Sequence, residues 1–191
     1  MNGLRLKSLL VLGLSFIHHA GLAQETPPSL TNRLSIAYSG ETITHYGVNL
    51  AYQRYFPAAQ TRRSRLFYGL NLTGYRHQKN YIGILALPEL GYTYVAPTGL
   101  RAGLSVQAGY MRRFYDGETF SVDDQGRVRE RPWAGNNAVA YGFSLLAGWD
   151  VGHRPHRRTG LFVQPKLLWE YPYNTRALIH PFVDVGLSRL F

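Results

Sequence analysis

Cysteine is absent from the 191 residues, which excludes disulfide frameworks, thiolate metal centres and a lipoprotein acylated on an N-terminal Cys. Beyond the first residues no stretch approaches about 18 unbroken apolar residues, so membrane-spanning helices are excluded too. Acids are scarce, with 11 Asp and Glu against 21 Lys and Arg for a net charge of +10. That balance invites a nucleic-acid reading, but the basic residues are scattered among strand ends and turns, with no recognition motif. What the chain does have is 45% hydrophobic residues, 14% aromatics and 20 glycines. Alternation reconciles these facts, because it hides an apolar surface from any window average.

The N-terminus reads as a signal peptide over residues 1–23. Arg5 and Lys7 form a basic region, Ser8 to Ile17 is an apolar run too short to span a bilayer as a helix, and Gly21 and Ala23 are small enough for signal peptidase. His18 and His19 interrupt the run and argue against an N-terminal membrane anchor. Cleavage removes Arg5 and Lys7 but none of the 11 acids, so the net charge falls to +8. Residues 24–32 follow as a Pro-containing lead, and residues 33–191 as one domain.

That domain repeats a single pattern eight times, near 33–39, 44–56, 64–75, 81–95, 100–115, 138–151, 160–171 and 178–191. In the fifth segment Leu100, Ala102, Leu104, Val106, Ala108, Tyr110 and Phe114 share one face, while Arg101, Gly103, Ser105, Gln107, Gly109 and Arg113 share the other. Pro97, Thr98 and Gly99 mark a tight hairpin before it. The fold expected is all-β: an eight-stranded antiparallel up-and-down transmembrane β-barrel with short periplasmic turns and one long extracellular hairpin loop. Pro88, Pro165 and Pro181 fall on the outward face and each removes a ladder donor, which leaves the local register open there.

With both termini in the periplasm, the turns at 57–63, 96–99 and 152–159 are periplasmic. Those at 40–43, 76–80, 116–137 and 172–177 are extracellular, and the 122–128 stretch reads as the tip of strands five and six continuing above the membrane. Outward aromatics then form two girdles. Tyr38, Tyr46, Tyr110, Phe114, Tyr141, Trp169 and Tyr171 make the outer one, and Phe56, Tyr68, Tyr92, Tyr94, Trp149 and Phe191 the inner. A soluble barrel or β-sandwich would bury its aromatics instead.

The last strand carries a family likeness. Asp184, Gly186, Leu187 to Leu190 and Phe191 resemble the β-signal of outer-membrane proteins: a polar residue, a glycine two on, and a terminal aromatic. Arg189 stands where an apolar or aromatic residue is usual, and near an interface it can snorkel. The resemblance implies recognition of the C-terminal strand by the barrel-assembly machinery. In size, strand count and termini the mature chain resembles the small OmpA/OmpX-type, porin-like barrels of Gram-negative envelopes. This implies a monomer in the outer membrane, contacting lipid and lipopolysaccharide; because the sequence ends with the barrel pattern, the peptidoglycan-binding domain of some relatives is not expected. No nucleic-acid partner and no cofactor are expected.

Residues on the inward phase are candidates for function. Glu89, Arg101, Arg113, Lys166, Glu170 and Asp184, with Gln107, Gln164 and His180, face a lumen that eight strands make just wide enough for side chains to fill. An internal charge network is the simplest reading, since buried charges must be paired. The function expected is structural or surface-interactive, with specificity in the extracellular loops. The alternatives are a narrow pore, or a lipid A- or protein-modifying enzyme with a His/carboxylate site at the rim. His45, Glu170 and His180 are the weak catalytic candidates, with Tyr75 and Ser39 near. His153 and His156 sit among three arginines that repel a cation, which disfavours a metal site. Arg127, Arg129, Arg131 and Trp133 of the long loop, with Glu130, suit contact with an extracellular protein or glycan.

Overall fold

Strand formation follows the alternation closely. The computed structural model describes residues 30–41, 45–61, 63–78, 80–131, 133–154, 157–173 and 176–191; residues 1–23, expected to be a signal peptide, and residues 24–29 of the expected lead lie outside the described residues. Its strands are β1 (Asn32–Glu41), β2 (His45–Gln60), β3 (Ser64–His77), β4 (Tyr81–Val95), β5 (Leu100–Tyr115), β6 (Phe120–Val122), β7 (Val128–Glu130), β8 (Gly135–Arg154), β9 (Arg157–Tyr173) and β10 (Arg176–Leu190). Eight of them pair antiparallel in the closed order β1-β10-β9-β8-β5-β4-β3-β2, and β6 and β7 form a separate two-stranded sheet. Closure comes from β1 against β10, in register from Arg33 and Leu190 to Glu41 and Phe182.

The strands outrun the expected boundaries. Gly40 and Glu41, expected in a loop, pair with Tyr46 and His45. His77 also pairs with His45, and β8 begins at Gly135 rather than near 138. The hydrogen-bond ladder persists where outward residues have turned polar, as at Arg112 opposite Asn137. Apolar alternation is therefore lost before the strand is. The long loop departs in another way, because strands five and six do not run on into its tip. Instead β5 stops at Tyr115 and the chain leaves extended geometry at Gly117 (φ 97°) and Trp133 (φ 63°). The β6/β7 hairpin then stands on its own, tied back by Tyr115 N–H donating to the Ala134 carbonyl and Arg131 N–H donating to the Thr119 carbonyl.

Polarity is inverted relative to a water-soluble barrel. Leu34, Ile36, Leu50, Leu70, Ile84, Leu90, Leu104, Val106, Leu145, Val163, Val183 and Leu187 are all exposed on the outer face. The three prolines are exposed there too. Gaps in the paired register of β4 with β5 and of β8 with β9 coincide with Pro88 and Pro165, where the ladder donor is missing.

Inside, the lumen is filled. Tyr75, Tyr81, Leu85, Leu87, Met111, Ala138, Ala140, Leu168 and Phe182 form a buried apolar cluster, so the expected charge network shares the lumen with an apolar filling. Two inward aromatics of β3 lie over glycines directly opposite on β4: Phe67 over Gly91 and Tyr75 over Gly83. Any Cβ at either glycine would collide with the facing ring. A void of about 10 Å³ bordered by Gln53, Phe67, Thr93, Ser105 and Gln164 has room for about one water.

Candidate functional site: a stratified polar lumen and an exposed hairpin

Five cations, Arg33, Arg65, Arg101, Arg113 and Lys166, and five carboxylates, Glu41, Glu89, Asp150, Glu170 and Asp184, are buried among the described residues. The inward phase of the strands places them at different heights, and they sort into separate networks.

At the end of the barrel away from the hairpin, Asp150 pairs with two guanidiniums: Arg33 at 3.3 Å and Arg101 Nε at 2.9 Å. Both arginines also donate to Ser188 Oγ, at 2.8 and 3.0 Å, and Arg33 Nε donates to Tyr55 Oη at 2.9 Å. In the middle, Glu89 accepts from Gln53 Nε2 at 2.9 Å and Ser105 Oγ at 3.0 Å. Its described partners are neutral, so it stands apart from the ion pairs. Lys166 Nζ meets Asp184 at 2.5 Å, and Asn49 Nδ2 donates to the same carboxylate at 2.6 Å.

At the hairpin end the three weak catalytic candidates come together with residues that sequence reasoning passed over. Arg113 pairs with Glu170 Oε1 at 2.6 Å, and Glu170 Oε2 meets His180 Nε2 at 2.9 Å. His180 Nδ1 faces Glu41 at 3.0 Å, Glu41 Oε2 faces His45 Nδ1 at 3.2 Å, and His45 Nε2 contacts Tyr81 Oη at 3.1 Å. This chain crosses six strands: β5, β9, β10, β1, β2 and β4. Both nitrogens of His180 face carboxylate oxygens, which only accept, so satisfying both contacts takes an imidazole protonated on both. The arrangement can hold or pass a proton. Its terminal hydroxyl is a phenol, whereas Ser39 Oγ, buried on the same strand as Glu41, has no hydrogen-bond partner among the described residues. His45 therefore does not orient Ser39.

Three missed residues were within reach of the alternation. Arg33 and Glu41 continue the inward phase of β1, and Asp150 follows outward Trp149. Of the β-signal residues, Asp184 is the buried partner of Lys166, and a Cβ on Gly186 would strike the Ile36 carbonyl of β1. The Phe191 backbone exchanges two hydrogen bonds with Asn32, at 2.8 and 2.9 Å. Together they make the seam that closes the barrel. His156 and the side chain of His153 lie outside the described residues.

The loop candidates are on the surface. In β6 and β7, Phe120, Val122, Val128 and Glu130 share one face, while Ser121 and Arg129 share the other. Asp123 ties the tip, accepting from the backbone N–H groups of Gln125 (3.0 Å) and Arg127 (2.9 Å) and from Arg127 Nε (3.0 Å). Those bonds to the charged form hold its carboxyl below the usual carboxylate range, led by the Arg127 backbone. Arg129 approaches the same carboxylate at 3.6 Å. Trp133 is 79% exposed and meets Phe114 edge-on at 6.0 Å.

A closed eight-stranded antiparallel barrel, apolar outside and filled within by buried charges and an apolar cluster, defines the class: a small β-barrel of the transmembrane kind. No protein family matched this chain, and no curated protein did. Among solved structures it is similar to the N-terminal β-barrel domain of OprF from Pseudomonas aeruginosa, at 15% identity and a TM-score of 0.41, covering 85% of this chain and 97% of that one. It is also similar to Ail, the attachment invasion locus protein of Yersinia pestis, solved in complex with the heparin analogue sucrose octasulfate. There the identity is 14% and the TM-score 0.39, covering 85% of this chain and 97% of that one.

Proposed function

We propose that the chain is an outer-membrane barrel with a structural and surface-interaction role, whose working part is the extracellular end carrying the β6/β7 hairpin. One contrast carries this reading. The lumen is occupied by paired charges and an apolar cluster, whereas Phe120, Val122, Val128 and Trp133 are exposed on the hairpin and its base. A filled lumen disfavours solute passage, and exposed apolar residues beside charge suit protein or glycan contact. The apolar belt belongs in lipid, and outward Arg54 and Arg189 suit lipid phosphates at the other rim. The Gly186 and Phe191 seam fits recognition of β10 by the assembly machinery.

The test is a pull-down from target-cell surfaces with the full barrel and a variant lacking residues 116–137. A partner retained by the full barrel and lost by the variant is expected. Equal capture by both would overturn the assignment, as would single-channel steps in planar bilayers. The enzyme reading keeps one supporting observation, the Glu41–His45–Tyr81 chain at the rim. Lipid A of unchanged mass in a deletion strain would remove its lipid A arm.

A further inference from the structure

Where the lumen ends beside Asn32 and Phe191, each of the eight barrel strands contributes an inward residue: Arg33, Tyr55, Arg65, Val95, Arg101, Asp150, Arg158 and Leu190. Four are arginines and one is a carboxylate. Asp150 and Ser188 already serve Arg33 and Arg101. Unlike the buried cations Arg33, Arg101, Arg113 and Lys166, Arg65 has no carboxylate in ion-pair contact among the described residues. It is 2% exposed, and its Nε and Nη1 donors have no hydrogen-bond partner. Its described contact is with the Tyr55 ring, whose centroid lies 5.4 Å from the guanidinium carbon. A guanidinium cannot shed its proton under ordinary conditions and accepts no hydrogen bond, so its burial calls for an acceptor bearing negative charge.

We propose that this layer binds a small oxyanion of the phosphate type, with Arg65 as its principal ligand and Arg33, Arg101 and Arg158 supplying the surrounding positive potential. Several oxygens on one anion match the several N–H donors that the guanidiniums present. Leu30 packs with Tyr55, Phe67 and Leu190 across this end of the barrel, which lowers the local dielectric and strengthens the attraction.

Inorganic phosphate is the probe. The full barrel, folded in zwitterionic detergent, is titrated with phosphate at constant ionic strength against a bulky sulfonate, while the arginine Nε–H resonances and the heat-modifiable gel midpoint are followed. One Nε–H resonance should shift saturably and the midpoint should rise with phosphate. Arg65→Met should remove both the resonance and the phosphate dependence. If that variant fails to fold, Arg65→Lys, which keeps the charge but offers a different donor set, should fold with a weaker dependence. Resonances and a midpoint indifferent to phosphate in the unaltered barrel would overturn the proposal. So would an Arg65→Met barrel that keeps the full phosphate response.

Discussion

The two ends of the lumen solve the same problem with different chemistry. At the end beside Asn32 and Phe191, guanidiniums outnumber carboxylates and two of them, Arg33 and Arg101, converge on Asp150; near the hairpin, Glu41 and Glu170 flank His180, and one guanidinium, Arg113, joins them. Imidazole can change its protonation to suit its neighbours, and guanidinium cannot. The hairpin end can therefore absorb the loss of a charge, whereas the terminal end is fixed. A lumen with matched totals is thus adaptable at one end and rigid at the other.

Asp150→Asn breaks the rigid end and should have the largest effect. It leaves Arg33 and Arg101 without their shared carboxylate, at a cost of about 4 kcal/mol read as the denaturant unfolding midpoint of the barrel in detergent. Glu41→Gln at the other end should cost less, about 2 kcal/mol, because the groups that face this carboxylate include two imidazoles, His45 and His180, which can give up a proton when it is removed. Equal losses would show that the two ends do not differ in this way. Between them, Leu87→Ala removes part of the apolar cluster and should cost about 3 kcal/mol wherever charge sits. It serves as the reference for purely steric damage. Gly83→Ala should cost about 2 kcal/mol, because the Tyr75 ring must leave the space that the new methyl would occupy.

Legibility from sequence followed the same division. All eight barrel strands were readable, since outward apolar residues alternate with smaller or polar ones, and β4 and β5 match their expected spans residue for residue. The ends were less readable. Beyond the bilayer an outward residue need not be apolar, so Glu41 and His77 read as loop although they are paired in the ladder. That error hid Glu41, the residue linking His45 to His180. The apolar cluster was hidden for the opposite reason: from Ile84 to Leu87 every residue is apolar, and alternation carries no signal there. Arg65 was readable as inward, but its lack of a partner is a fact of three-dimensional packing that no spacing encodes.

The smallest effect belongs to the hairpin, where charge is solvated rather than buried. Asp123 holds the tip through two backbone N–H groups and Arg127, and its carboxyl is held below the usual carboxylate range. A group whose pKa is lowered on folding contributes order that is fully present above its ordinary value and fades as pH falls through the lowered one. The amide resonances of Gln125 and Arg127 should therefore stay constant at neutral pH and move toward random-coil positions only in acid. The barrel resonances of β4 and β5 should not follow them. Asp123→Asn should abolish the acid transition while leaving the unfolding midpoint of the barrel unchanged, because the β6/β7 sheet pairs with none of the eight barrel strands. A barrel that loosened together with its tip would show that the hairpin is part of the scaffold, and the division between filled lumen and exposed contact surface would have to be drawn elsewhere.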